Sequence, residues 1–288
     1  MVQIVTVINL KGGTGKTSCS VELSTALAHH YGRRTLLVDL DPQASATFYV
    51  LEQARWLQWK KMRGTTYDLF NHRDHSFPIR NAILPNVLEE AKIFGLDLLP
   101  SNPDLVDMDV RLADFVGNTI LQPYFEEIAE DYDYIICDCP PSFNPVTRNS
   151  LCASNAYVVP VVPDFLSTYG IGLLQRAVHK LFESPNQDHM NGPVLGGIIL
   201  TRIHAGVKLH ATYCERVRAE YPRQVFKHTI SDSIVVAHAA DNRLPVSAIA
   251  SPKGKDKDLQ EQFKDLAGEF ISRIFHVQTM KRQGLRPS

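Results

Sequence analysis

Residues 9–18 read NLKGGTGKTS, between an apolar run, IVTVI (4–8), and a segment of helical spacing, Ser18–His30. Gly12, Gly13 and Gly15 let the backbone curl without Cβ clashes, so that successive N–H groups converge on one point. The helix that follows aims its positive end at the same point. Strand, glycine turn and helix in that order predict a phosphate cradle at the end of a strand. In the usual form, G-x-x-x-x-G-K-[ST], one lysine suffices. Gly15, Lys16 and Thr17 fit the right-hand end of that form, but its first glycine would fall on Leu10, and a second lysine, Lys11, comes next.

The residue types assign the chemistry. Lys16 is expected to reach the β- and γ-phosphates of a nucleotide, the Thr17 hydroxyl to hold Mg²⁺, and Ser18 to support the α-phosphate. Such a site also needs acids. LLVDLDPQ (36–43) ends a second apolar run with Asp39 and Asp41, and YIICDCPPS (134–142) ends a third with Asp138. Residues i and i+2 of an extended chain share a face, so both Asp39 and Asp41 are expected to point at the metal and the attacking water. Asp138 is expected to hold Mg²⁺ directly or through water.

The same spacing extends along the chain. Like IVTVI, the runs TLLVD (35–39), YIICD (134–138), AYVVPVV (156–162) and VLGGIIL (194–200) are apolar without alternation, as strands buried on both faces are, and LDLLP (96–100) is expected to be another strand. Helix-period segments lie between and after them, at 104–116, 120–130, 166–182, 207–220 and 259–275. This predicts an α/β fold, a doubly wound, mainly parallel sheet with helices on both faces. Residues 55–63 (RWLQWKKMR) and 71–87 read as irregular connecting structure, and 251–258 (SPKGKDKD) as a polar loop. No repeat or long linker divides the chain, so one domain is expected over 1–288.

The 288 residues are 44% hydrophobic, enough for a sizeable core. Net charge is −1 but uneven: residues 1–200 carry 15 Lys and Arg against 22 Asp and Glu, and residues 201–288 carry 15 against 9. A basic last third can face nucleic acid or an anionic membrane. The five cysteines have no framework spacing, and the closest pair, Cys137 and Cys139, read as small buried residues of a reducing cytosol. With neither a secretory signal nor a spanning segment, a cytoplasmic protein is expected.

The chain resembles the ParA/MinD group of deviant-Walker ATPases, and within it the ParA-type partitioning proteins. The resemblance rests on KGGTGKT (11–17), LLVDLDPQASAT (36–47) and YDYIICDCPPS (132–142). It continues more weakly through GGIILTR (196–202) and the segments LPVSAIAS (244–251) and LQEQFKDLAGEFI (259–271). It implies a P-loop NTPase fold and an ATP site built from Lys11, Gly12, Gly13, Thr14, Gly15, Lys16, Thr17, Ser18, Thr201 and Arg202. It also implies a homodimer on ATP binding, in which Lys11 reaches the partner's nucleotide as a finger supplied in trans. Asp41 matches the acid that positions the attacking water, with Lys11 and Lys16 as the other catalytic groups. Asp138, Asp39 and Thr17 gather at the magnesium. Non-specific double-stranded DNA and a ParB-like activating protein are the implied partners, and a nucleoid-associated location follows.

The chain departs from the family at TISDSIVVAHAADNRLP (229–245), where relatives often carry a proline and basic residues and Arg243 is the one Arg or Lys here. A DNA footprint must therefore use Lys208, Arg216, Arg218, Arg223 and Lys227, or Lys253, Lys255 and Lys257. Three other readings share the fold. One is a positioner of a protein assembly, which the sequence does not separate from DNA partitioning. Another is a MinD-like membrane cycler, which needs an amphipathic end that Gly284 and Pro287 interrupt. The last is an electron carrier like the nitrogenase iron protein, whose cysteine spacing is not met.

Overall fold

The computed structural model describes residues 2–72, 74–112, 119–183 and 192–282. The apolar runs become strands β1 (Gln3–Val7), β2 (Thr35–Asp39), β3 (Leu96–Leu99), β4 (Tyr134–Asp138), β5 (Ala156–Val161) and β6 (Val194–Leu200). They form one parallel sheet in the order β3-β2-β4-β1-β5-β6. Each of β1, β2, β4 and β5 is buried along its whole length, which is why none alternates.

The α-helices, in chain order, are α1 (Lys16–Tyr31), α2 (Ser45–Val50), α3 (Gln53–Met62), α4 (Thr66–Asn71), α5 (Ile79–Ala82), α6 (Met108–Arg111), α7 (Leu121–Glu127), α8 (Pro145–Ala153), α9 (Phe165–Phe182), α10 (Lys208–Glu220), α11 (Ile234–Asp241) and α12 (Lys255–Arg282). One core joins α1 and α12 to a face of the sheet through Val5, Val7, Leu27, Phe263 and Phe270. A second, around Phe70, Tyr124 and Phe125, closes the opposite face over β2, β3 and β4. A third packs α9 and α10 on β5 and β6. After β1 the chain runs to β2 and β3 on one side, then returns through β4 to β5 and β6 on the other. The carboxyl end of β1 therefore lies beside the place where the winding reverses, where ligands of such sheets bind.

Three expectations need correction. Residues 55–63 are not irregular: 55–62 lie in α3 and Arg63 caps it, with Trp56 buried and its Nε1–H donated to the Ser101 carbonyl at 2.9 Å. Lys60 sits over the Trp56 ring at 5.5 Å and reaches Asn102 and Asp104 at 2.8 and 3.0 Å, so one face of the stretch is anchored while Leu57, Lys61, Met62 and Arg63 stay exposed. The loop before the last helix is shorter than 251–258, because the helix starts at Lys255 with Asp256 and Asp258 favouring its positive end. The helix expected over 104–116 is a 3₁₀ turn (Pro103–Asp107) followed by α6. Residues 113–116 of that expectation, and Gly284 and Pro287 of the tail, lie outside the described residues.

Candidate functional site

The loop after β1 opens into a cavity of about 550 Å³, and Gly12, Gly13, Thr14, Gly15, Lys16, Thr17 and Ser18 line it. Gly13 and Gly15 are left-handed, at φ 72° and 78°, which a side chain rarely tolerates. Lys16, at the first position of α1, turns back so that its Nζ donates to the Lys11 carbonyl at 3.0 Å. Burial pulls its pKa down, while Asp138 and Asp41 oppose the shift.

Lys11 goes the other way. Its Nζ donates to Asp164 Oδ2 at 2.7 Å and to the Ser167 hydroxyl at 3.1 Å, outside the cavity lining. Asp164 is also the N-cap of α9, its Oδ1 accepting the Ser167 N–H at 2.7 Å. Beside this pair Phe165, Leu166 and Tyr169 are 60–64% exposed.

The acids separate into two sets. Asp138 ends β4 in register with Val7 of β1 and Asp39 of β2, so Asp39 and Asp138 lie side by side at adjacent strand ends. Both are buried, and burial raises both pKa values; Asp138 raises Asp39 further, while the Ser20 hydroxyl pulls Asp138 back. Asp138 Oδ1 accepts from Ser20 at 2.8 Å, and its buried Oδ2 has no hydrogen-bond partner. An orphaned, buried carboxylate oxygen beside Thr17 suits a hard divalent cation.

Asp39 and Asp41 do not share a face as expected. β2 ends at Asp39, so alternation does not continue to Asp41. Asp39 Oδ2 is taken by the Thr47 N–H and hydroxyl at 2.7 and 2.8 Å, and Oδ1 by the Asp41 N–H at 3.1 Å. Asp41 alone of the two lines the cavity, with its loop fixed by Ser101 donating to the Asp41 carbonyl at 2.6 Å.

The far wall comes from the end of β6. Thr201 donates to the Thr14 carbonyl at 2.8 Å, and Arg202 donates to the Gly13 carbonyl at 3.1 Å and to Asp232 Oδ1 at 2.9 Å. Sequence reasoning missed the rest of that wall. Ser231, Asp232, Ser233, Val236, Ala237 and Ala240 come from 229–245, the stretch singled out for lacking basic residues. Only tertiary pairing brings it there, through the Ile203↔Ser231 bridge.

The basic candidates do not form one set. Lys208 and Arg216 are exposed on α10, the Arg216 guanidinium lying 5.3 Å from the Tyr213 ring. Arg218 is engaged internally, donating to the Phe226 and Lys227 carbonyls at 3.0 and 3.2 Å. Arg223 and Lys227 belong to a turn held by α12: the Arg223 carbonyl accepts from Arg273, and the Lys227 N–H donates to Glu269. Lys253, Lys255 and Lys257 are exposed around the start of α12. Cys137 and Cys139 are buried at the end of β4, and burial pushes the Cys137 thiol up to about 12 and that of Cys139 well above its ordinary value. Among the described residues no helix is long and apolar enough to cross a membrane.

Comparison with known proteins agrees with this geometry. A family model described as an AAA domain (AAA_31) matches residues 2–190. The sporulation initiation inhibitor protein Soj of Bacillus subtilis is 28% identical over 270 residues, 93% of this chain and 98% of that protein. The chromosome-partitioning ATPase Soj of Treponema pallidum is 30% identical over 243 residues, 84% and 87% of the two chains. In fold, the chain is similar to a plasmid partition protein of Borrelia burgdorferi solved with AMPPNP, at TM-score 0.75 and 24% identity, over 95% of this chain and all of that one.

Proposed function

The chain belongs to this AAA-domain family and is a ParA/MinD-type P-loop ATPase; on that premise we propose that it partitions DNA as an ATP-dependent homodimer. The observation that carries this reading is the opposed direction of the two lysines. Lys16 turns back onto its own loop, whereas Lys11 leaves it for Asp164. A lysine that merely seconded Lys16 would face the cavity. One held at the rim, next to exposed Phe165, Leu166 and Tyr169, stands where a second copy would cover it and receive its charge.

In the proposed mechanism the loop N–H groups and Lys16 bind the β- and γ-phosphates of ATP. Thr17 and the orphaned Oδ2 of Asp138 would hold Mg²⁺, which would offset negative charge on the phosphates. Asp39 keeps Thr47 and the Asp41 backbone in place rather than spending an oxygen on the metal. Asp41 orients the attacking water. Lys11 of each subunit leaves Asp164 and stabilises charge on its partner's γ-phosphate, the part of an arginine finger. Hydrolysis removes the anion that held it, so the dimer parts. Exposed Lys208 and Arg216 on α10 support a non-specific contact to double-stranded DNA, and a ParB-like protein would speed turnover.

Co-sedimentation with duplex DNA across a salt series, with ATP, ADP or no nucleotide, tests the proposal. Binding that needs ATP and weakens steeply with salt is the expected result. ATP-dependent dimerisation without DNA retention would leave the ATPase and remove the partitioning.

A further inference from the structure

Glu22 lies in α1, six residues after Lys16. It is fully buried in an apolar core, and it does not line the cavity. Its Oε1 accepts the Tyr49 hydroxyl at 3.0 Å and the Val246 N–H at 2.8 Å; its Oε2 accepts the Ser247 N–H at 2.9 Å. Three donors converge on two acceptor oxygens. A carboxylate satisfies all of them, whereas a glutamine would turn an NH₂ toward a donor. Burial raises the Glu22 pKa, and these donors draw it back.

Tyr49 belongs to α2, eight residues after Asp41. Its ring forms part of the cavity wall with Val236, Ala237 and Ala240, and its hydroxyl also lies 3.2 Å from the Val236 carbonyl in α11. Two residues earlier in α2, Thr47 is fixed to Asp39. The helix after the acidic loop is thus tied to β2 at Thr47, and to α1 and α11 at Tyr49.

We propose that Glu22 and Tyr49 are a positioning couple, which sets the α2 segment, and with it Asp41, against the helix that carries Lys16 and against the α11 wall. The proposal rests on the ATPase reading. Neither side chain belongs to the phosphate loop, and Glu22 does not line the cavity. The couple acts by fixing the distance between the half of the site that grips the nucleotide and the half that directs water. Loosening it leaves the loop N–H groups and Lys16 in place but lets Asp41 drift, and small misplacements cost turnover rather than affinity.

The test is a KM-against-kcat split in full-length protein. Tyr49→Phe removes one hydroxyl and keeps the ring in the wall. It is expected to leave ATP affinity within about twofold and to lower kcat roughly fivefold, the worth of one ordinary hydrogen bond. Glu22→Gln should lower kcat in the same way, and the double variant should be no slower than Glu22→Gln alone, because both break one linkage. Backbone amides of α11 should exchange faster in Tyr49→Phe while those of α12 do not change. If Glu22→Gln does not fold, Tyr49→Phe and the exchange data carry the test. Wild-type kcat in Tyr49→Phe overturns the couple, as do an equal loss of affinity and kcat or a double variant as slow as the product of the singles. Wild-type protein that does not hydrolyse ATP at all would instead bring down the ATPase reading, and the couple with it.

Discussion

Lys16 and Asp41 meet the same cavity from opposite sides, and their substitutions should fail differently. Lys16 is a buried cation among backbone donors, with Asp138 and Asp41 holding its charge in place. Lys16→Ala should abolish ATP binding in calorimetry, a loss of at least about a hundredfold; wild-type affinity would refute the cradle. Asp41→Ala should keep ATP bound, because the loop and Lys16 remain, and should lose hydrolysis, so that ATP traps the dimer in size-exclusion chromatography. Normal turnover in that variant removes the water-positioning role. The phosphate loop was legible at this scale because glycine spacing and a lysine carry their chemistry locally. The division of labour between Asp39 and Asp41 was not. It depends on β2 ending at Asp39 and on Thr47, eight residues later, claiming the first carboxylate.

At the scale of elements, β1, β2, β4 and β5 were legible because burial on both faces removes alternation, a property of each segment alone. The helix α3 was not, because its cue is two tryptophans at i and i+3 among four basic residues, which read as irregular connecting structure. What decides the matter is distant in sequence: the Ser101 carbonyl for Trp56 and the Ala82 carbonyl for Trp59. Trp56 and Trp59 therefore bear on stability. Trp56→Ala should cost about 3–5 kcal/mol in urea unfolding, with ATP affinity per folded molecule unchanged. A near-neutral unfolding result would refute the anchoring role of Trp56. The helix α11 failed to be read for a related reason, since its place in the cavity wall comes from the pairing of 203 with 231.

At the scale of the whole molecule, the alternation of strands and helices announced a parallel sheet, but strand order depends on long-range pairing that no segment encodes. The same limit applies to the charge imbalance. The last third is basic in sum, yet Arg218 is consumed by two carbonyls, which leaves Lys208 and Arg216 as exposed charges on α10. Arg216→Glu with Lys208→Glu should weaken retention of every duplex alike and reduce the salt slope by about two units, with ATP affinity unchanged; an unaltered slope moves the footprint elsewhere.

The assembly itself yields the sharpest prediction. Lys11→Ala should bind ATP through Lys16 and the loop, but it should neither dimerise nor hydrolyse, since two triphosphates face each other without a cation between them. Mixed with Asp41→Ala, it can form a dimer holding one repaired site. In that site the Lys11→Ala subunit keeps its own Asp41 and receives an intact Lys11 from its partner, while the other site lacks both groups. Turnover should therefore reappear in the mixture, at most at half the wild-type number of sites, although each variant alone is inactive. Mixed dimers that form and stay silent would assign Lys11 to its own nucleotide, and its pairing with Asp164 would then be a resting contact rather than the start of a reach across the dimer.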